Sequence, residues 1–310
     1  MKFLVTGGAG FIGSNIVEEL LKRGYDIRVL DNFATGKREN LKQFEKDIEL
    51  IEGDIRSFHI VQQAVKDIDV ILHQAALPSV PRSIKDPITS NEVNVVGTLN
   101  ILEAAKDAGV KRVVYASSSS VYGDNPALPK HEGMMPNPLS PYAVSKLAGE
   151  KYCSVFSRLY GIETVVLRYF NVFGPRQDPN SQYSAVIPLF IKAIMNDKQP
   201  TIFGDGTQSR DFTYVANVVE ANILAAVNVV ESGLVMNCAC HDQISLNKLV
   251  EEINKLLDKN IKPKYAEQRH GDIKHSFASI DTIKRNLNWE PGVSFLEGLT
   301  FLVKYFITRY

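Results

Sequence analysis

The chain has 310 residues, about the length of two average domains, and 45% of them are hydrophobic, which is ordinary for a globular protein. Its 35 basic side chains (Lys and Arg) match 35 acidic ones, so the net charge is zero and the basic excess typical of a nucleic-acid-binding protein is missing. The three cysteines lack zinc-like spacing and no apolar run is long enough to span a membrane, so we expect a cytoplasmic protein without a metal site.

Short apolar runs alternate with helix-length amphipathic segments through the first half of the chain. The runs are rich in Val, Ile and Leu without strict alternation, which is typical of parallel strands buried on both faces. The predicted strands are Phe3–Thr6, Ile27–Leu30, Ile48–Ile51, Val70–His73, Val113–Ala116 and Thr164–Leu167. The predicted helices are Phe11–Lys22, Ser57–Lys66, Pro87–Asp107 and Pro141–Tyr160. This order predicts an α/β fold with a Rossmann-type, doubly wound parallel sheet.

The alternation weakens beyond residue 170. We therefore predict a nucleotide-binding domain over 1–170 and a smaller C-terminal α+β lobe over 171–310, with a segment near 212–237 returning to the first domain. In this half the sequence predicts one strand, at Leu234–Asn237. The predicted helices are Val215–Val229, Ser245–Leu257 and Phe295–Ile307.

A glycine-rich turn joins the first predicted strand to the first helix. Gly7, Gly10 and Gly13 let the backbone turn tightly and approach a pyrophosphate at the helix N-terminus, where Phe11 and Ile12 follow. The spacing is that of a dinucleotide-binding fingerprint.

The second predicted strand leads into Asp31, eighteen residues beyond Gly13. A carboxylate there can accept both ribose hydroxyls of adenosine and would repel a 2′-phosphate, which favours NAD over NADP. Lys37 and Arg38 lie nearby in sequence and keep NADP as an alternative. Asp54 and Ile55, after the third strand, are candidates for the adenine contact, although Asp54 is equally suited to cap a helix.

Two segments carry candidate catalytic side chains. Tyr142 and Lys146 stand at i and i+4 in a helix that Ser140 caps, so they lie on one helix face. A fixed ammonium and an oxidised nicotinamide both favour the phenolate, which would make Tyr142 a general base near neutral pH. The run of serines at 117–120 follows the fifth strand, at the sheet edge where open α/β sheets bind ligands.

These motifs resemble the extended short-chain dehydrogenase/reductases, and within them the nucleotide-sugar 4-epimerases of the UDP-galactose and UDP-N-acetylgalactosamine type. The resemblance covers the whole chain, in the segments TGGAGFIGS, HQAA, NVxGT, SSSxVYG, YxxxK, RYFNVFGPRQ and SRDFTYV. It implies an NAD-dependent enzyme that inverts C4 of a UDP-sugar through a 4-keto intermediate, as a homodimer that pairs through the helices 87–107 and 141–160.

The resemblance also implies the roles of individual residues. Catalysis falls to Tyr142, Lys146 and Ser118. The implied cofactor contacts come from the glycine turn and the strand ends: Gly7, Gly10, Phe11, Ile12, Gly13, Asp31, Asn32, Asp54, Ile55, Gln74, Ala75, Ala76, Asn94, Tyr142, Lys146, Tyr169 and Phe170. The implied substrate contacts are Ser118, Ser119, Tyr142, Asn171, Arg210, Arg269, Asp272 and Ser276. Among these, the two arginines would grip the diphosphate and Asp272 the nucleoside ribose.

Ser276 lies where the family borders the sugar beside C2. A tyrosine there leaves room for a hydroxyl group, whereas a small residue admits an N-acetyl group. We therefore expect interconversion of UDP-GlcNAc and UDP-GalNAc, with UDP-Glc and UDP-Gal also accepted. The alternative is that Ser276 is an ordinary loop serine and another side chain closes the pocket.

Related activities can be weighed by residues. The 4,6-dehydratases carry Thr-Asp-Glu where this chain has Ser118, Ser119 and Ser120, and the sugar decarboxylases carry a glutamate at the position of Ser120. UDP-glucuronate 4-epimerases share the serine-rich segment and remain an alternative. A non-catalytic NAD-sensing protein on the same fold is a second alternative, although such proteins commonly lose the tyrosine or the lysine.

Overall fold

Thirteen β-strands and eleven α-helices are present in the computed structural model, which describes residues 1–178, 186–267 and 274–309. The strands are β1 (Lys2–Thr6), β2 (Asp26–Asp31), β3 (Glu49–Glu52), β4 (Val70–His73), β5 (Arg112–Ser118), β6 (Glu163–Tyr169), β7 (Val172–Phe173), β8 (Thr201–Phe203), β9 (Ser209–Arg210), β10 (Thr213–Tyr214), β11 (Leu234–Cys238), β12 (Ile244–Ser245) and β13 (Lys264–Ala266).

The helices run between and beyond these strands. They are α1 (Phe11–Lys22), α2 (Phe58–Ala64), α3 (Val80–Lys85), α4 (Pro87–Asn91), α5 (Gly97–Asp107), α6 (Pro141–Tyr160), α7 (Val186–Met195), α8 (Val215–Val227), α9 (Leu246–Leu257), α10 (Asp281–Leu287) and α11 (Phe295–Arg309).

Seven strands form one parallel sheet in the order β11-β6-β5-β4-β1-β2-β3. Helices cover both faces, so the predicted doubly wound, Rossmann-type α/β fold is confirmed. Three two-stranded sheets lie outside it: β10 with β7, β12 with β9, and β13 with β8. The chain returns to the large sheet at its edge, where β11 pairs in parallel with β6.

Two of the predicted helices have the observed bounds, namely α1 and α6. Ser140 caps α6 through a hydrogen bond from the Ala143 backbone N–H to its hydroxyl oxygen (3.1 Å). The predicted helix 87–107 consists of α4, a π-helical turn at Glu92–Val96, and α5. A π turn accommodates an extra residue in the helix, and hydrophobic periodicity does not reveal it.

Two hydrophobic clusters hold the layers together. One lies between the sheet and the helices α2, α5 and α6. The other lies between the sheet and the helices α1 and α8, and it continues into the C-terminal lobe around the fully buried Trp289. The lobe and the half of the chain that forms the large sheet therefore share one core, which fixes their relative placement.

Candidate functional site

The glycine turn brings β1, β4 and the start of α1 close together. Gly7 has a φ of +69°, and a Cβ atom on it would lie 2.7 Å from the backbone nitrogen of Ala75. A Cβ atom on Gly13 would overlap the carbonyl oxygen of Gly7. Only glycine fits these positions, so the backbone N–H groups at the start of α1 border a cleft without side chains in front of them.

This first cleft lies at the carboxyl edge of the sheet. Most of the predicted cofactor residues line it: Gly7, Gly10, Phe11, Ile12, Gly13, Asp31, Asn32, Ile55, Gln74, Ala75, Ala76, Tyr142, Lys146 and Tyr169. Arg56, Thr35 and Thr89 line it as well, and sequence reasoning did not single them out. The cleft therefore extends from the acidic end of β2 to the start of α6, as an extended dinucleotide requires.

Asp31 holds a fixed carboxylate at the end of β2. Its two oxygens accept hydrogen bonds from the backbone N–H groups of Ala9 (2.9 Å) and Phe33 (2.8 Å). Burial raises the pKa of Asp31, and these two hydrogen bonds act in the opposite direction. Each oxygen retains a lone pair, so the carboxylate can also accept the two hydroxyl groups of a ribose.

Nearby cations are paired with carboxylates. Lys37 forms an ion pair with Asp178 (3.0 Å), and Arg38 pairs with Glu52. Arg56 pairs with Asp54 (2.8 Å), and this pairing is the largest reason why the pKa of Asp54 falls to about 2. A 2′-phosphate would compete with these carboxylates for the same cations, so the arrangement favours NAD over NADP.

Three predicted cofactor residues do not line the first cleft. Asp54 accepts hydrogen bonds from Asn32 and Arg56. Asn94, in the π turn, is buried and binds both backbone groups of Leu77 through its side chain (2.8 and 3.1 Å). Phe170 is fully buried in the core. These residues hold the segments around the cleft in place through hydrogen bonds and packing.

Tyr142 and Lys146 lie on one face of α6 and line the same cleft. Lys146 is buried, and its ammonium group donates a hydrogen bond to the carbonyl oxygen of Ala116 (2.8 Å). Burial lowers the pKa of Lys146 to about 8. Burial raises the pKa of Tyr142, while an interaction with Ser118 acts in the opposite direction. The Lys146 ammonium lies 6.0 Å from the ring centroid of Tyr142, and a positive charge there favours the phenolate of the base that we predict.

Ser117 and Ser118, the last two residues of β5, have different hydrogen-bond partners. Ser118 accepts hydrogen bonds from the backbone N–H (3.2 Å) and the hydroxyl (2.9 Å) of Ser120, in the short 3₁₀ turn that also contains Ser119. Ser117 lines the first cleft, and its hydroxyl donates a hydrogen bond to the carboxylate of Glu150. The side chain of Ser118 interacts with Tyr142.

A buried amide supports two residues that line the first cleft. Asn222, on α8, accepts hydrogen bonds from Gln74 (3.0 Å) and from the hydroxyl of Tyr169 (2.9 Å). Tyr169 also contacts Gln74 directly (3.2 Å). Asn222 carries no motif, and its neighbours are more than fifty residues away in sequence, so only the fold identifies it.

A second cleft begins beside the first, because Tyr169 lines one and Asn171 the other. Its lining is mostly apolar and comes from the C-terminal lobe: Asn171, Val172, Phe173, Val186, Ile187, Leu189, Phe190, Thr201, Phe203, Gln208, Arg210, Phe212 and Leu246. Arg210 supplies a guanidinium group to this lining, and its Nη1 also donates to the carbonyl oxygen of Ser209 (2.9 Å). A mostly apolar cleft with a guanidinium group among its described lining residues suits a flat base joined to a phosphate.

The remaining predicted substrate residues lie in sequence between β13 and α10. Arg269 and Asp272 lie outside the described residues. Ser276 is half-buried, and its backbone N–H donates to the carbonyl oxygen of Ser209 (3.1 Å), the neighbour of Arg210. The segment that contains Ser276 is therefore held beside the second cleft.

Within residues 1–178, 186–267 and 274–309, no group of three or more His, Cys, Asp or Glu side chains is arranged to hold a metal ion. No helix in these ranges is long and apolar enough to cross a membrane.

Known proteins resemble this chain along its full length. The sequence model of the NAD dependent epimerase/dehydratase family matches residues 3–239. UDP-glucose 4-epimerase of Mycolicibacterium smegmatis is 37% identical over 310 residues, covering 99% of this chain and 98% of its own length.

Solved structures agree with that assignment. UDP-N-acetylglucosamine 4-epimerase of Methanobrevibacter ruminantium, in complex with UDP-N-acetylmuramic acid, has a TM-score of 0.95 and 42% identity, covering 100% of this chain and 99% of its own. UDP-glucuronic acid 4-epimerase of Bacillus cereus, in complex with UDP-glucuronic acid and NAD, has a TM-score of 0.93 and 35% identity, with full coverage of both chains.

Proposed function

Because this chain belongs to the NAD dependent epimerase/dehydratase family, we propose that it is an NAD-dependent UDP-hexose 4-epimerase. Its substrates are the pairs UDP-GlcNAc/UDP-GalNAc and UDP-Glc/UDP-Gal. The observation that carries the proposal is the placement of Tyr142 and Lys146, in the first cleft and close to its junction with the second. A sugar whose nucleoside diphosphate occupies the second cleft would extend toward the phenol of Tyr142.

The reaction needs a proton acceptor at the 4-hydroxyl group of the sugar. Tyr142 takes that proton, Ser118 holds the same oxygen, and the Lys146 ammonium favours the phenolate. The first cleft, with Gly7, Gly13 and Asp31 in its lining, would hold NAD, which would supply the acceptor and donor for the hydride of C4. The oxygen at C4 remains in the reach of Tyr142 and Ser118 while the 4-keto sugar turns over, and Tyr142 then gives the proton back.

Inversion also requires that the diphosphate of the substrate stays bound in place while the sugar turns. Arg210 and Asn171 line the second cleft, where they would bind the diphosphate. Arg269 and Asp272 complete the proposed substrate contacts, and their roles rest on the resemblance alone. Ser276 leaves space beside C2 for an N-acetyl group.

The test is a product assay with purified protein. It is incubated separately with UDP-GlcNAc, UDP-Glc and UDP-glucuronate, and the sugar nucleotides are resolved by chromatography. We expect epimers from the first two substrates. Turnover of UDP-glucuronate alone would replace our proposal with the alternative that the Bacillus cereus enzyme represents, and no turnover of any of them would remove the epimerase proposal.

We also propose a cytoplasmic homodimer with twofold symmetry. Apolar side chains are exposed along α3, α4, the π turn and α6: Val80, Ile84, Ile88, Val96, Val144, Val155 and Leu159. Helices α3 and α4 pack against α6, so these side chains form adjacent parts of one surface. A self-complementary pairing of such a surface is isologous and closes as a dimer. Light scattering should give twice the chain mass, and Leu159→Glu, which places a charge on this surface, should give a monomer.

A further inference from the structure

A buried carboxylate lies one helical turn beyond Lys146. Glu150 accepts two hydrogen bonds from Arg168 on β6, from Nε (2.9 Å) and from Nη2 (2.7 Å). The two side chains are only 2% and 4% exposed. It also accepts a hydrogen bond from the hydroxyl of Ser117 on β5. Burying charged groups costs free energy, and this pair lies on the same helix as Tyr142 and Lys146.

Glu150 shares a helix face with the residues that we assign to catalysis. Tyr142, Lys146 and Glu150 are spaced by four residues each along α6, so they project from one side. Lys146 donates to the carbonyl oxygen of Ala116, and Glu150 accepts from the next residue, Ser117. The ammonium and the carboxylate thus fasten consecutive residues of β5 to α6, directly before Ser118.

The charged and titratable groups around Lys146 come from three elements. Tyr142, Glu150 and Cys153 belong to α6, Tyr115 to β5 (its ring centroid is 5.1 Å from the ammonium), and His73 to β4. Burial raises the pKa values of Cys153 and Tyr115 and lowers the pKa of His73 to about 3, so these three groups are neutral at neutral pH.

Glu150 is therefore the member of that set whose charge opposes the desolvation of Lys146. Burial lowers the pKa of Lys146 to about 8, and the largest influence that raises this pKa is the charge of Glu150. Arg168 pairs with this carboxylate, and its guanidinium lies 4.7 Å from the ring centroid of Tyr122.

We propose that Glu150 is a positioning residue of the reaction, which aligns α6 with the end of β5 and provides the counter-charge for the Lys146 ammonium beside Tyr142. This inference rests on the proposed function, because it concerns the base that the function requires. It assigns a chemical purpose to a carboxylate that touches neither cleft.

The substitution Glu150→Gln keeps the shape of the side chain and removes its charge. Both the lost carboxylate and the unpaired Arg168 disfavour the ammonium, so Lys146 loses its proton at a lower pH. Above that pH, Tyr142 loses the positive charge that favours its phenolate, so activity falls there. We expect the alkaline limb of the kcat/KM profile to move to lower pH by about one unit, since one opposite charge nearby is typically worth 1–3 units, with KM for the UDP-sugar unchanged within about twofold.

A second readout does not depend on turnover. Competitive labelling of lysines with an acylating reagent across pH, read by mass spectrometry of the peptide that contains Lys146, reports the ionisation of that ammonium in the NAD-loaded protein. The midpoint should fall in Glu150→Gln and return close to the wild-type value in Glu150→Asp, which restores the charge. The control is Glu163→Gln, which breaks the ion pair between Arg112 of β5 and Glu163 of β6 at the opposite ends of these strands. This variant should move neither readout.

The outcomes separate this inference from the proposed function. Wild-type protein that epimerises no UDP-sugar removes the proposed function, and the labelling titration still tests the effect of Glu150 on Lys146. Activity lost in Glu150→Gln with an unchanged pH profile and labelling midpoint means that the pair is merely structural, and overturns the inference. If Glu150→Gln does not fold, the double variant Glu150→Gln/Arg168→Met removes the carboxylate and leaves no unpaired charge. It should still lower the midpoint, because the carboxylate favours the Lys146 ammonium, and a wild-type midpoint there overturns the inference equally.

Discussion

The first cleft is lined by residues at the ends of adjacent parallel strands, whereas the second cleft is lined by loops, short two-stranded sheets and helices of the C-terminal lobe. Parallel strands end at one edge of a sheet, so residues that follow them converge even though they are far apart in sequence. No such rule brings Asn171, Phe190 and Leu246 together. The first cleft is therefore set by general rules of the fold and the second by the particular packing of the lobe.

The largest expected effect tests the chemical part of the first cleft. Tyr142→Phe keeps the ring and removes the titrating hydroxyl, so turnover should fall by about 10²–10⁴-fold, the usual contribution of a general base. Steady-state rates with a UDP-sugar measure this change. NAD content and thermal stability should remain, and Tyr152→Phe on the same helix is the matched control. Near-normal turnover would move the base to another residue, first of all Ser118.

The next effect tests the glycine turn. A methyl group on Gly13 overlaps the carbonyl oxygen of Gly7, and backbone cannot yield as a flexible side chain does. Gly13→Ala should weaken NAD binding by roughly 10–100-fold, since overpacking costs about 1–3 kcal/mol. Gly292→Ala is the control, because no atom lies within 4 Å of a Cβ atom there. Equal NAD affinity in the two variants would mean that the turn does not contact the cofactor.

A smaller effect is expected at the adenosine end. Asp31→Ala removes an acceptor of ribose hydroxyl groups, and hydrogen bonds to charged groups are worth about 1.5–3 kcal/mol, or roughly tenfold or more in affinity. NAD and NADP are titrated separately against the cofactor-free protein. We expect weaker NAD binding and a lower preference over NADP. A variant that binds NAD less tightly but keeps its full preference would show that the ion-paired cations, rather than Asp31, exclude NADP.

The finest distinction concerns the second cleft. Ser276→Tyr should reduce turnover of UDP-GlcNAc by about tenfold or more relative to UDP-Glc, because a bulky ring fills the space required by the N-acetyl group. The ratio of the two kcat/KM values is the measurement, and Ser276→Ala, which stays small, is the control. An unchanged ratio would show that another side chain borders C2, and the 4-epimerase proposal would stand without this specificity.

The sequence predicts much of the first cleft and less of the second. Gly7, Gly13 and Asp31 are recognisable because each follows a strand at a spacing that the dinucleotide fingerprint prescribes. The short helices α3, α7 and α10 are absent from the sequence-based prediction, although α7 supplies much of the apolar wall of the second cleft. Its continuous apolar run has no period that separates a helix from a buried strand.

The sequence by itself determined the fold class, the strand-ending motifs and the pairing of Tyr142 with Lys146 on one helix face, because these depend on local spacing and on the regular geometry of helices and parallel strands. Only the tertiary structure decided which carboxylates neutralise Lys37, Arg38 and Arg56, that Asn222 supports Gln74 and Tyr169, and that Glu150 meets Arg168. These contacts join residues on different elements. Their partners are fixed by how the layers pack and by the cost of leaving a buried polar group without a hydrogen bond.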